Sequence, residues 1–535
     1  MRTSCFHRTF FCFLILNLAT TNALLSQKGK NNSPNNDIII SGHFTSTNYP
    51  DTVTILVWKD IDVLKKKLVL PHREIKSFVK NGFFKTTIQT QTKISFVSLG
   101  WNYRNGALVE FIPSYPTESG SSINIEIKDP NKELDTENVL FGGKGASSYN
   151  CKLQLDNTFQ AINQQWLDGK ADPSLPTWSE AKWRNPNGAA KDEYYFDYLE
   201  HVTNSQNIWD QALKEQLGIL RTYRNKIRRS FYDLMKVEII SNAEYQKEYF
   251  DMETAIKRLA KTASSEWIKE KKKVEGYLNS SDSLQKIIPQ EIILKSPAYT
   301  IFKWKRFAIQ RDLGSFTSVH EGIKSKLKGR FRDKMLWVDI LLDGFHWDSI
   351  TREKNEDDSY RLMADNQYRL LLKDYMSNTK RGNFAYDFSL LDKNERLIHL
   401  HDFKGKIVFM DFWFVGCGGC SQYYNNVVSK VEEHFRNDSN VVFVSICETP
   451  EKSLWLKGVS SNEYTSEYAV NIHSTIGFSD PLFKRFKVDS YPHPLLIGKD
   501  QRIISDSEKE LRANGVQGLI TMIDTAITGN KIQSD

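Results

Sequence analysis

Apolar positions divide the chain into three stretches with different periods. Between residues 38 and 127 they fall in short β-type runs at 38–44, 53–58, 83–90, 94–99, 107–112 and 123–127. In the last run Ile123, Ile125 and Ile127 alternate with Asn124 and Glu126, the two-residue period of a strand with one wet face. Turn-forming residues such as Asn105, Gly106 and Gly120 lie between the runs. The pattern predicts an antiparallel β-sandwich over residues 37–153. At its end Gly142, Gly143 and Gly145 surround Lys144, but Lys144 is not followed by Ser or Thr at phosphate-loop spacing, so a structural turn is expected over 141–148.

Over residues 154–376 the period becomes helical. Leu213, Leu217, Leu220, Ile227, Phe231 and Leu234 advance in steps of three, four and seven, which predicts one helical stripe interrupted by Arg224. Arg221, Arg224, Lys226, Arg228 and Arg229 give it a basic side, read as a solvated face. Lys271 to Lys273 has Glu270 and Glu275 beside it, which suggests local pairing and not a nucleic-acid patch. Trp337 and Trp347 are expected in the core of this central α-helical region. The apolar-free residues 377–383 form the expected linker to a third region, 384–535.

That third region centres on Ile407, Val408, Phe409 and Met410, too short and too β-prone a run for a helix, which leads through Asp411 to Cys417-Gly418-Gly419-Cys420. Tyr424, Val427, Val428, Val431 and Phe435 then recur at helical spacing. Strand, cysteine pair and helix in this order place Cys417 at a helix N-terminus, where unpaired N–H groups and the macrodipole favour a thiolate.

Length and composition add a cellular address. A chain of 535 residues exceeds one ordinary core. Residues 1–23 carry Arg2 and Arg8, an apolar core from Phe10 to Ala19 and a small residue at Ala23, the layout of a cleaved signal peptide. The apolar core is shorter than the ~20 residues needed to span a bilayer. The mature chain is therefore expected to be periplasmic or secreted, without a transmembrane span, and to begin with a polar, flexible lead-in at 24–36. Removing Arg2 and Arg8 lowers the formal net charge from +7 to +5, mild enough that no nucleic-acid partner is implied. Cys5 and Cys12 leave with the signal, so Cys151, Cys417, Cys420 and Cys447 remain. So few cysteines make no disulfide scaffold. Cys151 and Cys447 are expected to be buried and inert.

The ordered features Asp387-Phe388-Ser389-Leu390, Asp402-Phe403-Lys404-Gly405-Lys406, Asp411-Phe412-Trp413-Phe414, Cys417-Gly418-Gly419-Cys420, the run 441–446 and Tyr491-Pro492-His493-Pro494-Leu495-Leu496-Ile497 together resemble the TlpA/ResA-like thiol-disulfide oxidoreductases exported by Gram-negative bacteria. The resemblance implies a C-terminal α/β thioredoxin fold. It makes Cys417 the exposed nucleophile, Cys420 the resolving cysteine, and the two a redox disulfide. Asp411 becomes the buried acid that deprotonates Cys420. Its position between Met410 and Phe412 independently predicts a raised pKa. The resemblance also makes Pro492 a cis-proline opposite the cysteine turn, with Tyr491, Trp413 and His493 around the substrate. It implies protein thiol or disulfide substrates, an upstream electron donor, and no cofactor beyond the disulfide itself. Gly416 and Gly419 stand where the family carries tryptophan and proline, which predicts a looser turn. The rival readings are a peroxiredoxin-like peroxidase, which lacks the expected Pro and Thr ahead of its cysteine here, and an interaction protein with an accessory thioredoxin-like domain. Metal capture by Cys417, Cys420 and His493 lacks a clear fourth ligand.

Overall fold

The computed structural model describes residues 36–58, 73–102, 108–130, 132, 134–167, 191–247, 271–272, 275–276, 278, 284–488 and 490–529. The segment 1–23, read as a signal peptide, and residues 24–35 lie outside the described residues. No helix among the described residues is long and apolar enough to cross a membrane.

The N-terminal region contains β1 (Ile38–Phe44), β2 (Thr52–Trp58), β3 (Arg73–Phe78), β4 (Phe83–Ile88), β5 (Ile94–Asn102), β6 (Leu108–Glu118), β7 (Ser122–Ile127) and β8 (Val139–Lys144). They form two four-stranded sheets, β4-β1-β7-β8 and β3-β2-β5-β6. Ile38 and Ile40 of one sheet share a buried cluster with Val53 and Ile55 of the other. The alternate positions Leu56, Trp58 and Phe96 turn instead to the helical region, so β2 is covered on both faces.

Three expectations are corrected here. The strands are not all antiparallel: β1 pairs parallel with β7, Ile40 lying opposite Ile123. The intervening strands supply the long crossover that a parallel pair needs. The expected turn at 141–148 narrows to Gly145, between the end of β8 and the start of a helix. Gly143 has φ of +88°, and a Cβ there would stand 2.3 Å from the Ser122 carbonyl oxygen, so glycine serves close strand approach. A helix, Ala146–Leu167, then begins inside the stretch assigned to β-structure.

The single predicted stripe over 213–234 is two helices, Lys191–Thr222 and Arg229–Lys247. Leu220 and Phe231, on either side of the break, are buried in one cluster, and the two helices pack against each other there. Several of the basic residues flank this turn. Arg228 donates to the Ser119 carbonyl oxygen at 3.0 Å and Arg229 pairs with Asp233 at 2.8 Å. Lys271 pairs locally with Glu275 at 3.9 Å. Trp337 is buried and Trp347 packs at the edge of the same core.

The residues 377–383 are not a free tether. The helix Asn366–Thr379 runs into them, and the Gly382 N–H donates to the Ile503 carbonyl oxygen at 2.8 Å. Beyond lies a seven-stranded sheet of β9 (Ser389–Asp392), β10 (Leu397–His399), β11 (Ile407–Trp413), β12 (Val441–Cys447), β13 (Val470–His473), β14 (His493–Ile497) and β15 (Ile503–Ser505). Its order is β10-β9-β13-β12-β11-β14-β15. The central β11, β12 and β13 are parallel, with β14 antiparallel to β11. Val408, Met410 and Phe412 pack on one face of β11, and Ile407 and Phe409 on the other. Burial on both faces explains why the run is continuously apolar.

Candidate active site

The site forms where β11 ends. The Glu448 N–H donates to the Trp413 carbonyl oxygen at 2.8 Å, and the Val415 N–H to Thr449 Oγ1 at 3.0 Å, which holds the outgoing chain against the end of β12. Gly416 follows with φ of +94°, a conformation that favours glycine, and its N–H donates to the Tyr464 hydroxyl at 3.1 Å. The glycine standing where the family has tryptophan thus has a backbone reason.

Cys417 is the N-cap of the helix Gly418–Tyr423, and its Sγ accepts from the Cys420 N–H at 3.1 Å. Cys417 and Cys420 are joined in a disulfide with Cα atoms 5.3 Å apart. The helix continues through a widened π turn, Tyr424–Val428, into Ser429–Phe435. Tyr424, Val428, Val431 and Phe435 lie on its buried side, as their spacing predicts. The exposed nucleophile expected at Cys417 is largely covered in this disulfide form, at 5% exposure against 1% for Cys420.

The Tyr491–Pro492 bond is cis. A Cβ built on Gly419 would sit 3.6 Å from Pro492 Cδ and 3.8 Å from the Tyr491 carbonyl oxygen, so this loop lies directly against the cysteine turn. Tyr491 is half-buried and meets the exposed Phe414 edge to face at 5.3 Å. The sequence reading gave Phe414 no site role, because one aromatic after a strand has no distinguishing pattern. Trp413 and His493 are not placed to touch a substrate. Trp413 is fully buried, donates from Nε1 to Ser445 Oγ at 2.7 Å and stacks on Tyr464 at 4.8 Å. His493 is buried against Phe345 of the helical region, ring centroids 4.8 Å apart, and against Phe412.

Asp411 lies in the middle of this packing. Its Oδ1 is buried without a hydrogen-bond partner. Burial pushes its carboxyl up to about 8; the nearby Arg512 works against that rise and Glu432 adds to it. A cavity of about 10 Å³, lined by Asp411, Tyr424, Glu432, Ser445 and Tyr464 among others, separates the two acids. It is about the size of one water. Burial raises Glu432 as well, opposed by hydrogen bonds from Ser466 and Tyr424. Glu432, Arg512 and Tyr464 were not legible in the sequence, being brought to Asp411 by separate elements. Cys447 and Cys151 are buried, and burial pushes both thiols up to about 12, away from thiolate chemistry.

Residues 405–503 match the family model described as thioredoxin-like. The C-terminal domain is thioredoxin-like. Among curated proteins this domain is similar to the thiol-disulfide oxidoreductase ResA of Bacillus cereus, 25% identical over 146 residues that cover 26% of this chain and 78% of that protein. ResA of Bacillus subtilis is 24% identical over 124 residues, covering 23% and 64%. Among solved structures, the thioredoxin domain of a thiol-disulfide oxidoreductase from Bacteroides vulgatus aligns at 21% identity and TM-score 0.24, covering 28% of this chain and 97% of that one. All these matches leave the two upstream regions uncovered.

Proposed function

We propose that the protein is an exported thiol-disulfide oxidoreductase that reduces disulfides of periplasmic or secreted proteins. The observation that carries this reading is the Cys417–Cys420 disulfide at the carboxyl end of β11, against the Pro492 loop, with the buried Asp411 whose Oδ1 has no hydrogen-bond partner on the same strand. In the reduced form the Cys417 thiolate attacks a substrate disulfide. One substrate sulfur leaves as thiolate, and the other is bonded to Cys417. Asp411 takes the proton from Cys420, for which a carboxyl titrating near 8 is suited at neutral pH. The Cys420 thiolate then attacks Cys417 Sγ, the second substrate thiolate leaves, and the protein holds the disulfide. Two electrons have passed to the substrate, and an upstream dithiol donor restores them. Phe414 and Tyr491 offer an apolar rim beside the sulfurs for the substrate chain.

The test uses the full chain. Wild type is expected to reduce a model protein disulfide with a dithiol donor, and Cys420→Ser to accumulate mixed disulfides on Cys417 detectable by mass spectrometry. Failure of both sinks the reading, and dithiol-dependent turnover of peroxide in their place would make the protein a peroxidase.

A further inference from the structure

A second group of chemistry-bearing side chains lies on the same sheet, away from the cysteines. Asp387 precedes β9, His399 ends β10, and His401 follows two residues later in the short helical turn Leu400–Phe403. One potential ligand atom from each lies within 4.8 Å of the other two. The two imidazoles stack, ring centroids 4.7 Å apart and planes 20° from parallel, so both edges are presented together.

The group is held by the backbone around it. The His401 N–H donates to Asp387 Oδ1 at 3.2 Å, and His401 Nδ1 lies 2.7 Å from Asp387 Oδ2. The His399 N–H donates to Asp402 Oδ2 at 2.8 Å, while Asp402 Oδ1 is 3.7 Å from His401 Nε2. Asp402 thus fixes the start of the turn and adds negative charge beside the imidazoles. His399 is the N-cap of the turn that carries His401, which keeps the two rings close.

We propose that Asp387, His399 and His401 form a binding site for a borderline divalent transition-metal ion of the zinc class. Two imidazoles and one carboxylate are the donor set such ions take, whereas magnesium and calcium prefer oxygen alone. Donors around a tetrahedral zinc stand about 3.3 Å apart for bonds of about 2.0 Å, so side-chain rotation of roughly an ångström closes the present spacing. Asp387 and His401 are both more than half exposed, at 52% and 56%, which leaves room for water to complete the shell and for the ion to exchange.

The register places this site relative to the disulfide. His399 pairs with Ser389, Leu391 with His473, and His473 with Cys447, which pairs with Trp413. The cluster therefore lies off the same end of the sheet as Cys417. Four inter-strand steps separate β10 from β11, or about 19 Å. The two sites share an edge but are too far apart to share one ion.

The test is zinc titration of the full, oxidised chain without an affinity tag, so that Cys417 and Cys420 are unavailable as ligands. One zinc ion per chain is expected, with its binding raising the melting temperature. His399→Ala, His401→Ala and the isosteric Asp387→Asn are each expected to weaken binding at least tenfold. The surface control His434→Gln is expected to leave it unchanged. Metal-free melting curves of Asp387→Asn separate loss of binding from loss of fold. Absence of saturable zinc uptake by the wild type overturns the proposal, as does equal affinity in the three ligand variants. Neither result bears on disulfide reduction by Cys417.

Discussion

Two buried aspartates, one in the catalytic end of the sheet and one at the contact with the helical region, show how the same side chain is put to opposite uses. Asp411 has a buried oxygen with no hydrogen-bond partner. Asp506 is in direct contact with the Arg352 guanidinium, whose Nε donates to the Gly344 carbonyl oxygen at 3.0 Å. Burial opposes the charge on Arg352, but Asp506, Tyr375 and Glu356 outweigh it and raise the guanidinium's pKa. Around this pair Ser349 donates from both N and Oγ to Glu510, at 2.6 and 2.7 Å, and Lys509 meets Asp348 at 2.9 Å. Burial raises the Asp506 carboxyl as well, but the Arg352 charge and hydrogen bond work against that rise, and the pair fastens two regions together. Asp411, with one buried oxygen left unbonded, holds its proton until the pH approaches 8, and can give or take it there.

The sharpest separation of the two comes from function. Cys417→Ser is expected to abolish disulfide reduction, and Asp411→Asn to slow it about a hundredfold, the range for loss of a general acid or base. Both are read by a dithiol-driven reduction assay. Arg352→Ala should leave the rate per folded molecule near that of the wild type. A comparable loss in Arg352→Ala would erase the contrast.

Stability should divide the other way. Arg352→Ala strands Asp506 and is expected to cost about 3–5 kcal/mol by denaturant unfolding. Asp411→Asn should stabilise. The folded Asp411 keeps its proton up to about 8 and the unfolded chain releases it near 3.8, so stability falls as pH rises between those values. At pH 7 the oxidised variant should exceed the wild type by up to about 4 kcal/mol, and the difference should vanish below pH 4. An unchanged pH profile in the variant would show that Asp411 ionises normally.

Smaller effects test the surroundings of each site. Gly416→Ala forces a side chain into φ of +94° and should cost about 1–3 kcal/mol in thermal unfolding. Glu432→Gln removes a neighbour that raises Asp411, so the midpoint of the pH–rate profile should move down. A shift upward would place Glu432 outside the proton path.

Local order was legible because it is written in local pattern. Alternation in 123–127 matched β7, the apolar run at 407–410 matched β11, and helical spacing after Cys420 matched a helix. The edge strand β3 was missed because Arg73, Glu74 and Lys76 dilute its apolar signal. The break between Thr222 and Arg229 was missed because both flanking helices bury the same kind of stripe.

For the candidate site, residue type and spacing singled out Cys417 and Cys420, since a redox turn has to be continuous in the chain, while the family resemblance supplied the roles of Asp411 and Pro492. The neighbours of Asp411 and the covering of Trp413 and His493 arise from elements far apart in sequence, whereas Asp387, His399 and His401 meet across the adjacent strands β9 and β10. Desolvation and hydrogen bonding depend on what surrounds an atom in space. Spacing along the chain therefore named the sulfurs, and packing decided which groups surround the acid and act on its proton.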